Sequence, residues 1–167
     1  MKNIKPLTIL IEDPIIHKNF IESVVKSIEN HIQSMGAIKG LVIKKAYAAI
    51  KSIRPGYVEH ILEVISKDYV REFTDLHEKY REEQHLPAES VTSLPDYMKQ
   101  HQVEAERIFW NVADQYAKRK ANSLIGKSFQ TFRPTIQNHL PTALKMIFEI
   151  IESYTLYEVE NNHQDNP

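Results

Sequence analysis

Apolar residues recur at every third or fourth position along most of this chain, the period of an amphipathic α-helix. Ile16, Phe20, Val24, Ile28 and Ile32 fall on every fourth position, with Ile21 and Val25 beside them. Asp13-Pro14 ahead of them supplies an N-cap and a first-turn proline, so a long helix is expected from there to about Met35. Leu7 to Ile11 reads equally as a short helical turn or an extended arm. A later pattern opens at Tyr57 with Val58, Ile61, Leu62 and Ile65, and resumes with Tyr69, Val70, Phe73, Leu76 and Tyr80. Ser66-Lys67-Asp68-Tyr69 between the two halves reads as a fresh N-cap and predicts a kink or break. Glu82 to Pro95 holds two prolines and several small polar residues; it is the expected main loop and the candidate for a mobile segment. Beyond Pro95 a helix is expected to about Lys120, with Tyr97, Ala105, Ile108, Phe109, Val112 and Tyr116 inward and Trp110 off the centre of that face. A basic segment follows from about 121 to 132. Pro134 and Pro141 are each expected to start a new helical piece, the second reaching about Tyr157 through Leu144, Ile147, Phe148, Ile151 and Tyr154.

The stretch from Gly36 to Tyr57 reads as the element the rest is organised around. Taken as one helix from Ala37 to Ile53, with about 100° per residue, Ile38, Val42, Ala46, Ala49, Ile50 and Ile53 share one broad sector, with Ile43 at its edge. A face that wide predicts contact with more than one neighbour, and Ala46 and Ala49 would allow a partner helix close approach. Gly36 and Arg54-Pro55-Gly56 bound the stretch as breakers.

The segment Ile43-Lys44-x-Ala46-Tyr47-x-Ala49-Ile50-Lys51-x-Ile53-x-Pro55-Gly56 resembles the signature of a family of small, uncharacterised bacterial helical proteins, known only as a domain of unknown function. Asp68-Tyr69-Val70, Asp96-Tyr97-Met98 and Leu140-Pro141 match further on, so the resemblance runs from about Leu10 to Tyr154. It implies a helical fold and brings no activity with it.

Composition sharpens this reading. A chain of 167 residues, 42% hydrophobic and 26% charged, suits one globular domain with its own core. The absence of cysteine excludes disulfides, thiolate metal sites and a cysteine nucleophile. The opening MKNIKPLTILIEDP carries an apolar run too brief for a signal peptide, and no run approaches a membrane span, so a cytoplasmic location is expected. A net charge of −1 gives no overall pull toward nucleic acid. The charges nevertheless alternate in blocks: basic from Gly36 to Gly56, mostly acidic from Tyr57 to Gln84, basic again from Ala117 to Lys145, and acidic beyond.

Three constellations bear on chemistry. Glu82-x-x-His85 and Glu160-x-x-His163 have the spacing used in di-iron bundles, but that chemistry needs inward-facing pairs and two more carboxylates; no metal or other cofactor is assigned. Gly126-Lys127-Ser128 echoes the end of a phosphate-binding loop without its upstream glycine or strand, and His60 beside Glu59 and Glu63 is commonplace on a solvated helix. No catalytic residue is assigned. The basic blocks offer Lys44, Lys45, Lys51, Lys118, Lys120 and Lys127 as a candidate surface for an anionic partner; the bland alternative is that these helices pack beside acidic segments. The aromatics are core first, with Tyr47, Tyr69, Phe73, Tyr97, Phe109 and Tyr116 as the candidate lining of a cavity for an apolar ligand.

The expectation is thus an all-α protein: a single compact orthogonal bundle of about six helices with proline-broken connections, spanning 1–160, and a disordered polar tail over 161–167. The leading function is a non-enzymatic protein–protein contact module, with an unknown partner or by self-association. The alternatives are a carrier or sensor of a small apolar or amphipathic ligand and peripheral binding to an anionic membrane. An exposed apolar patch would support the first, an enclosed cavity beside tyrosines the second, and a contiguous basic face the third.

Overall fold

The computed structural model describes residues 2–38, 40–84 and 92–158. A short strand β1 (Lys2–Ile4) leads into a single helical turn α1 (Ile9–Glu12) and then α2 (Pro14–Ser34), α3 (Leu41–Lys51), α4 (Tyr57–Glu83), α5 (Leu94–Gln100), α6 (Gln102–Arg119), α7 (Leu124–Thr155) and a strand β2 (Leu156–Glu158). The protein is all-α apart from the antiparallel pairing of β1 with β2, in which Asn3 lies opposite Tyr157 and Ile4 opposite Leu156. The tail over 161–167 lies outside the described residues.

Local chemistry sets the helix starts. Asp13 accepts from the backbone N–H groups of Ile15 (2.8 Å) and Ile16 (3.1 Å) at the head of α2, as its sequence predicts. Ser93 caps α5 through the Asp96 N–H, and the Glu152 carboxylate of α7 accepts the Leu94 N–H at 2.8 Å. Ser123 caps α7. From these starts each long helix turns an apolar stripe inward: Phe20, Ile21, Val24 and Val25 on α2; Val70, Phe73, Leu76 and Tyr80 on α4; Leu140, Leu144, Phe148 and Ile151 on α7. They form one core with Leu7 and Leu10 beneath and Leu94, Tyr97, Met98, Ala105 and Ile108 alongside.

Several expectations give way to tertiary packing. The stretch expected at the centre is peripheral. Its helix begins at Leu41, not Ala37, and contains no fully buried residue. Ala49, Val42 and Ile53 are exposed and Ala46 is half-buried, so the inward edge is that of Ile43, Tyr47 and Ile50 instead. The turn before it is tight: the Gly40 N–H donates to the Gly36 carbonyl at 2.8 Å, and a Cβ at Gly40 would meet Met35 Cβ at 2.6 Å. No break occurs at Ser66. Its hydroxyl donates back to the Glu63 carbonyl and meets His17 Nε2 at 2.9 Å, so α4 runs on for 27 residues. The helix expected from Pro95 to Lys120 is divided at His101, whose ring lies 4.4 Å from that of Tyr97.

Neither Pro134 nor Pro141 begins a helix. Both lie inside α7, which is 32 residues long, or about 48 Å at ~1.5 Å per residue. Each proline removes one backbone donor, a penalty of about 3 kcal/mol or more. Both are exposed, and the buried stripe of Leu140, Leu144, Phe148 and Ile151 keeps the helix continuous.

Gly126 has a structural rather than a phosphate-binding reason. It is buried where the first turn of α7 meets the end of α6, and an added Cβ would overlap the Lys120 carbonyl and stand 2.9 Å from Ala121 Cα. Those neighbours are backbone and cannot swing aside. Gly126→Ala should therefore destabilise by about 1–3 kcal/mol, outweighing the helix-propensity gain of about 1 kcal/mol; a raised midpoint in urea unfolding would contradict the close approach.

His77 on α4 is fully buried, and neither ring nitrogen has a hydrogen-bond partner among the described residues. Burial, and secondarily the charge of Arg81, push its pKa down from 6.5 to about 4. The fold therefore holds the neutral ring. The associated stability is complete above the unfolded value and is lost as pH falls from 6.5 toward 4. The stability difference between His77→Leu and the native chain should shift by about 2 kcal/mol in favour of the variant between pH 7 and pH 5, measured by urea unfolding at both. A difference independent of pH would show that folding leaves the pKa of His77 unshifted, and one that moved in favour of the native chain at pH 5 would show that the fold holds the protonated ring.

Candidate functional site

α3 is held by polar contacts rather than by deep burial. The Tyr47 hydroxyl donates to Glu29 Oε1 at 3.0 Å, and Lys51 Nζ donates to the same oxygen at 2.7 Å. The Lys51 ammonium first, and the Tyr47 hydroxyl second, hold the Glu29 carboxyl below its ordinary range. Burial, then the Glu29 carboxylate, push the Tyr47 phenol up. At the other end Lys44 Nζ donates to the Met35 carbonyl at 2.9 Å, satisfying a group left over at the end of α2. These contacts fix which edge of α3 turns inward. The other edge faces water: Leu41 and Val42 are each 48% exposed, with Ile38 at 93% just before the helix and Ile53 at 39% just after it.

The six candidate lysines come from three places and do different things. Lys44 and Lys51 are committed to Met35 and Glu29, while Lys45 is exposed on α3. Lys118 and Lys120 are exposed at the end of α6, where positive charge suits the helix C-terminus, and Lys127 is exposed in the first turn of α7. Opposite charges meet across helix seams: Arg119 reaches Asp68 of α4 at 2.7 Å, and Arg133 of α7 pairs with Asp114 of α6.

The six candidate lining rings pack against other rings and the core. Phe73, Tyr97 and Tyr116 are buried, and Tyr47, Tyr69 and Phe109 are packed onto or beside the core. Tyr69 stacks on Phe109 with centroids 5.5 Å apart, and Tyr97 lies 5.3 Å from Tyr80. Burial, with the Glu83 carboxylate second, pushes the Tyr97 phenol up to about 12.

A larger open depression, of about 700 Å³, lies at the α5–α6 junction around His101, lined by Lys99, Gln100, Gln102, Val103 and Arg107; a second lies between α2 and α7. A depression of about 490 Å³, open to solvent, has Ser23, Lys26, Ser27, Asn30, His31 and Ser34 of α2 on one side and Met146 and Ile150 of α7 on the other. None of the candidate lysines or rings contributes. Its signal was present in the sequence as polar residues at helical spacing along α2, but each is ordinary alone, and the concavity appears only when α7 is laid alongside. His85, Glu160 and His163 of the two Glu-x-x-His pairs lie outside the described residues. Among the described residues, no helix is long and apolar enough to cross a membrane.

The model of a family of unknown function (DUF6918) matches residues 7–155, and the chain belongs to that family. The match runs from Leu7 at the base of the core to Thr155 at the end of α7. No curated protein and no solved structure matches the chain.

If Glu29 fastens α3, Glu29→Ala should loosen that helix without unfolding the core. Hydrogen exchange should accelerate at the amides of 41–51, while global stability falls by about 1 kcal/mol or less, as for an exposed ion pair. Unchanged exchange there would mean that the apolar edge alone holds α3.

Proposed function

We propose that this member of the DUF6918 family is a non-enzymatic, cytoplasmic protein–protein contact module whose contact surface is the outer face of α3 and whose partner is a second copy of the chain. The observation that carries this reading is the aliphatic face of Ile38, Leu41, Val42 and Ile53, left to water beside an otherwise well-covered core. Full burial of such a side chain is favourable by about 1.5–3 kcal/mol; Leu41, Val42 and Ile53, exposed by half or less, have about half of that or less left to gain, before the costs of association are subtracted. The charges on this stretch are all positive, so a complementary surface offers aliphatic side chains among carboxylates. The chain itself carries an exposed aliphatic side chain next to an acid on α4, where Val64 is 44% exposed and follows Glu63.

The contact expected is weak and reversible. Sedimentation velocity over a concentration series should show dimerisation by the native chain, and Leu41→Ser with Val42→Ser should abolish it without lowering the thermal midpoint, because both side chains are exposed. A native chain that remains monomeric throughout would overturn the proposal. If that monomer sediments with phosphatidylserine vesicles and the double variant does not, the face is a basic amphipathic surface for anionic membranes instead.

A further inference from the structure

The serines that line the depression between α2 and α7 spend their hydroxyls inside the fold, which leaves Lys26, Asn30 and His31 as its polar groups for a ligand. We propose that it binds a small organic acid, with the oxyanion held by Lys26, Asn30 and His31 and a short apolar body lying on Met146 and Ile150.

Three observations support the anionic head. No carboxylate lines the depression. Lys26 makes no ion pair among the described residues, and the acids near it on α2 are engaged elsewhere, Glu22 with Lys18 and Glu29 with Lys51. His31 Nε2 is buried and has no hydrogen-bond partner among the described residues, its ring standing edge-on to His139 of α7 at 6.3 Å. A ring nitrogen withdrawn from water and left unpaired is unfavourable unless something polar meets it. Lys26 and Asn30 stand one turn apart on the same face of α2, and His31, on the adjoining face, lines the same depression.

The floor sets the rest of the ligand. Ser27 lends its proton to the Met146 sulfur at 3.8 Å, and Met146 and Ile150 present flexible apolar surface beyond it. A bare inorganic ion would leave that surface uncovered. The volume of about 490 Å³ lies within the range of small-molecule sites, about 300–1,000 Å³.

The test is a titration of the full-length protein, followed by amide chemical shifts, with hexanoate and separately with inorganic phosphate. Hexanoate should shift the amides around Lys26, Asn30 and His31 saturably and more tightly than phosphate does. Lys26→Gln should weaken hexanoate binding by about tenfold, the loss of one charge-assisted contact. Lys26 is exposed, so this variant should keep the native spectrum elsewhere; His31→Gln provides a second reading from the opposite side of the head group. The double variant at Leu41 and Val42 should bind hexanoate unchanged, which separates this site from the α3 surface. Absence of saturable shifts, equal affinity in Lys26→Gln and His31→Gln, or phosphate binding as tight as hexanoate would overturn the proposal.

Discussion

Phe73 of α4 meets Phe148 of α7 edge-on, with ring centroids 5.4 Å apart. That contact joins the two longest helices of the fold, and α1, α2, α3 and α6 each touch both of them. The arrangement is two columns with four bridges. Large rings suit such a joint because each removes much apolar area from water, and an edge-to-face pair adds about 1 kcal/mol beyond that area. α5 has a different role: it rests on α6 and α7 and takes its first N–H bond from Glu152, so α7 both supports and caps it.

How much of this can be read from the chain depends on what each signal measures. Period-four apolar spacing reports which edge of a helix is oily, and on α2 it agrees with the structure residue by residue from Phe20 to Ile32. It does not report whether that edge is covered. The segment from Ala37 to Ile53 has the cleanest pattern of all, yet its helix is 11 residues long and peripheral, because only Tyr47 and Ile50 reach the core. Local stop signals fail for a related reason. Ser66 looks like a cap, but its hydroxyl is satisfied inside a continuing helix. Pro134 and Pro141 look like starts, but both are exposed positions inside one continuous helix. Of the site residues, Lys44 and Lys51 are recognisable as a group because they share one helix, whereas Tyr47 reads with the aromatic rings and its bond to Glu29 shows only in the structure. Lys26, Asn30 and His31 are not recognisable as a group, since their meaning depends on Met146 and Ile150, more than a hundred positions away.

Between helices, among the described residues, only Arg119–Asp68 joins a basic block to an acidic one; Lys51 and Arg133 reach acids outside the blocks, and Arg71–Asp68 lies within one. Asp68 takes Arg119 and Arg71, Asp114 takes Arg133, and the Glu29 carboxylate takes Lys51 together with a tyrosine proton. Arg133 also lies over the Trp110 ring at 4.1 Å, so its charge serves a seam between α6 and α7. Such partly exposed pairs add little to stability one by one. Their effect is on register: they specify which helix lies beside which, leaving the apolar stripes to supply the driving force.

The pairing of β1 with β2 has a consequence for how the chain reaches this state. Ile4 and Leu156 are neighbours although 152 positions separate them. Closing so long a loop is entropically demanding and makes the strap a late event. α7, which supplies one of the two columns, also leaves the ribosome after α1 to α6. Until it arrives, the stripes of α2 and α6 lack the surface that covers them, and the nascent protein passes through a stage in which much of its oily interior is open to chaperones or to other chains.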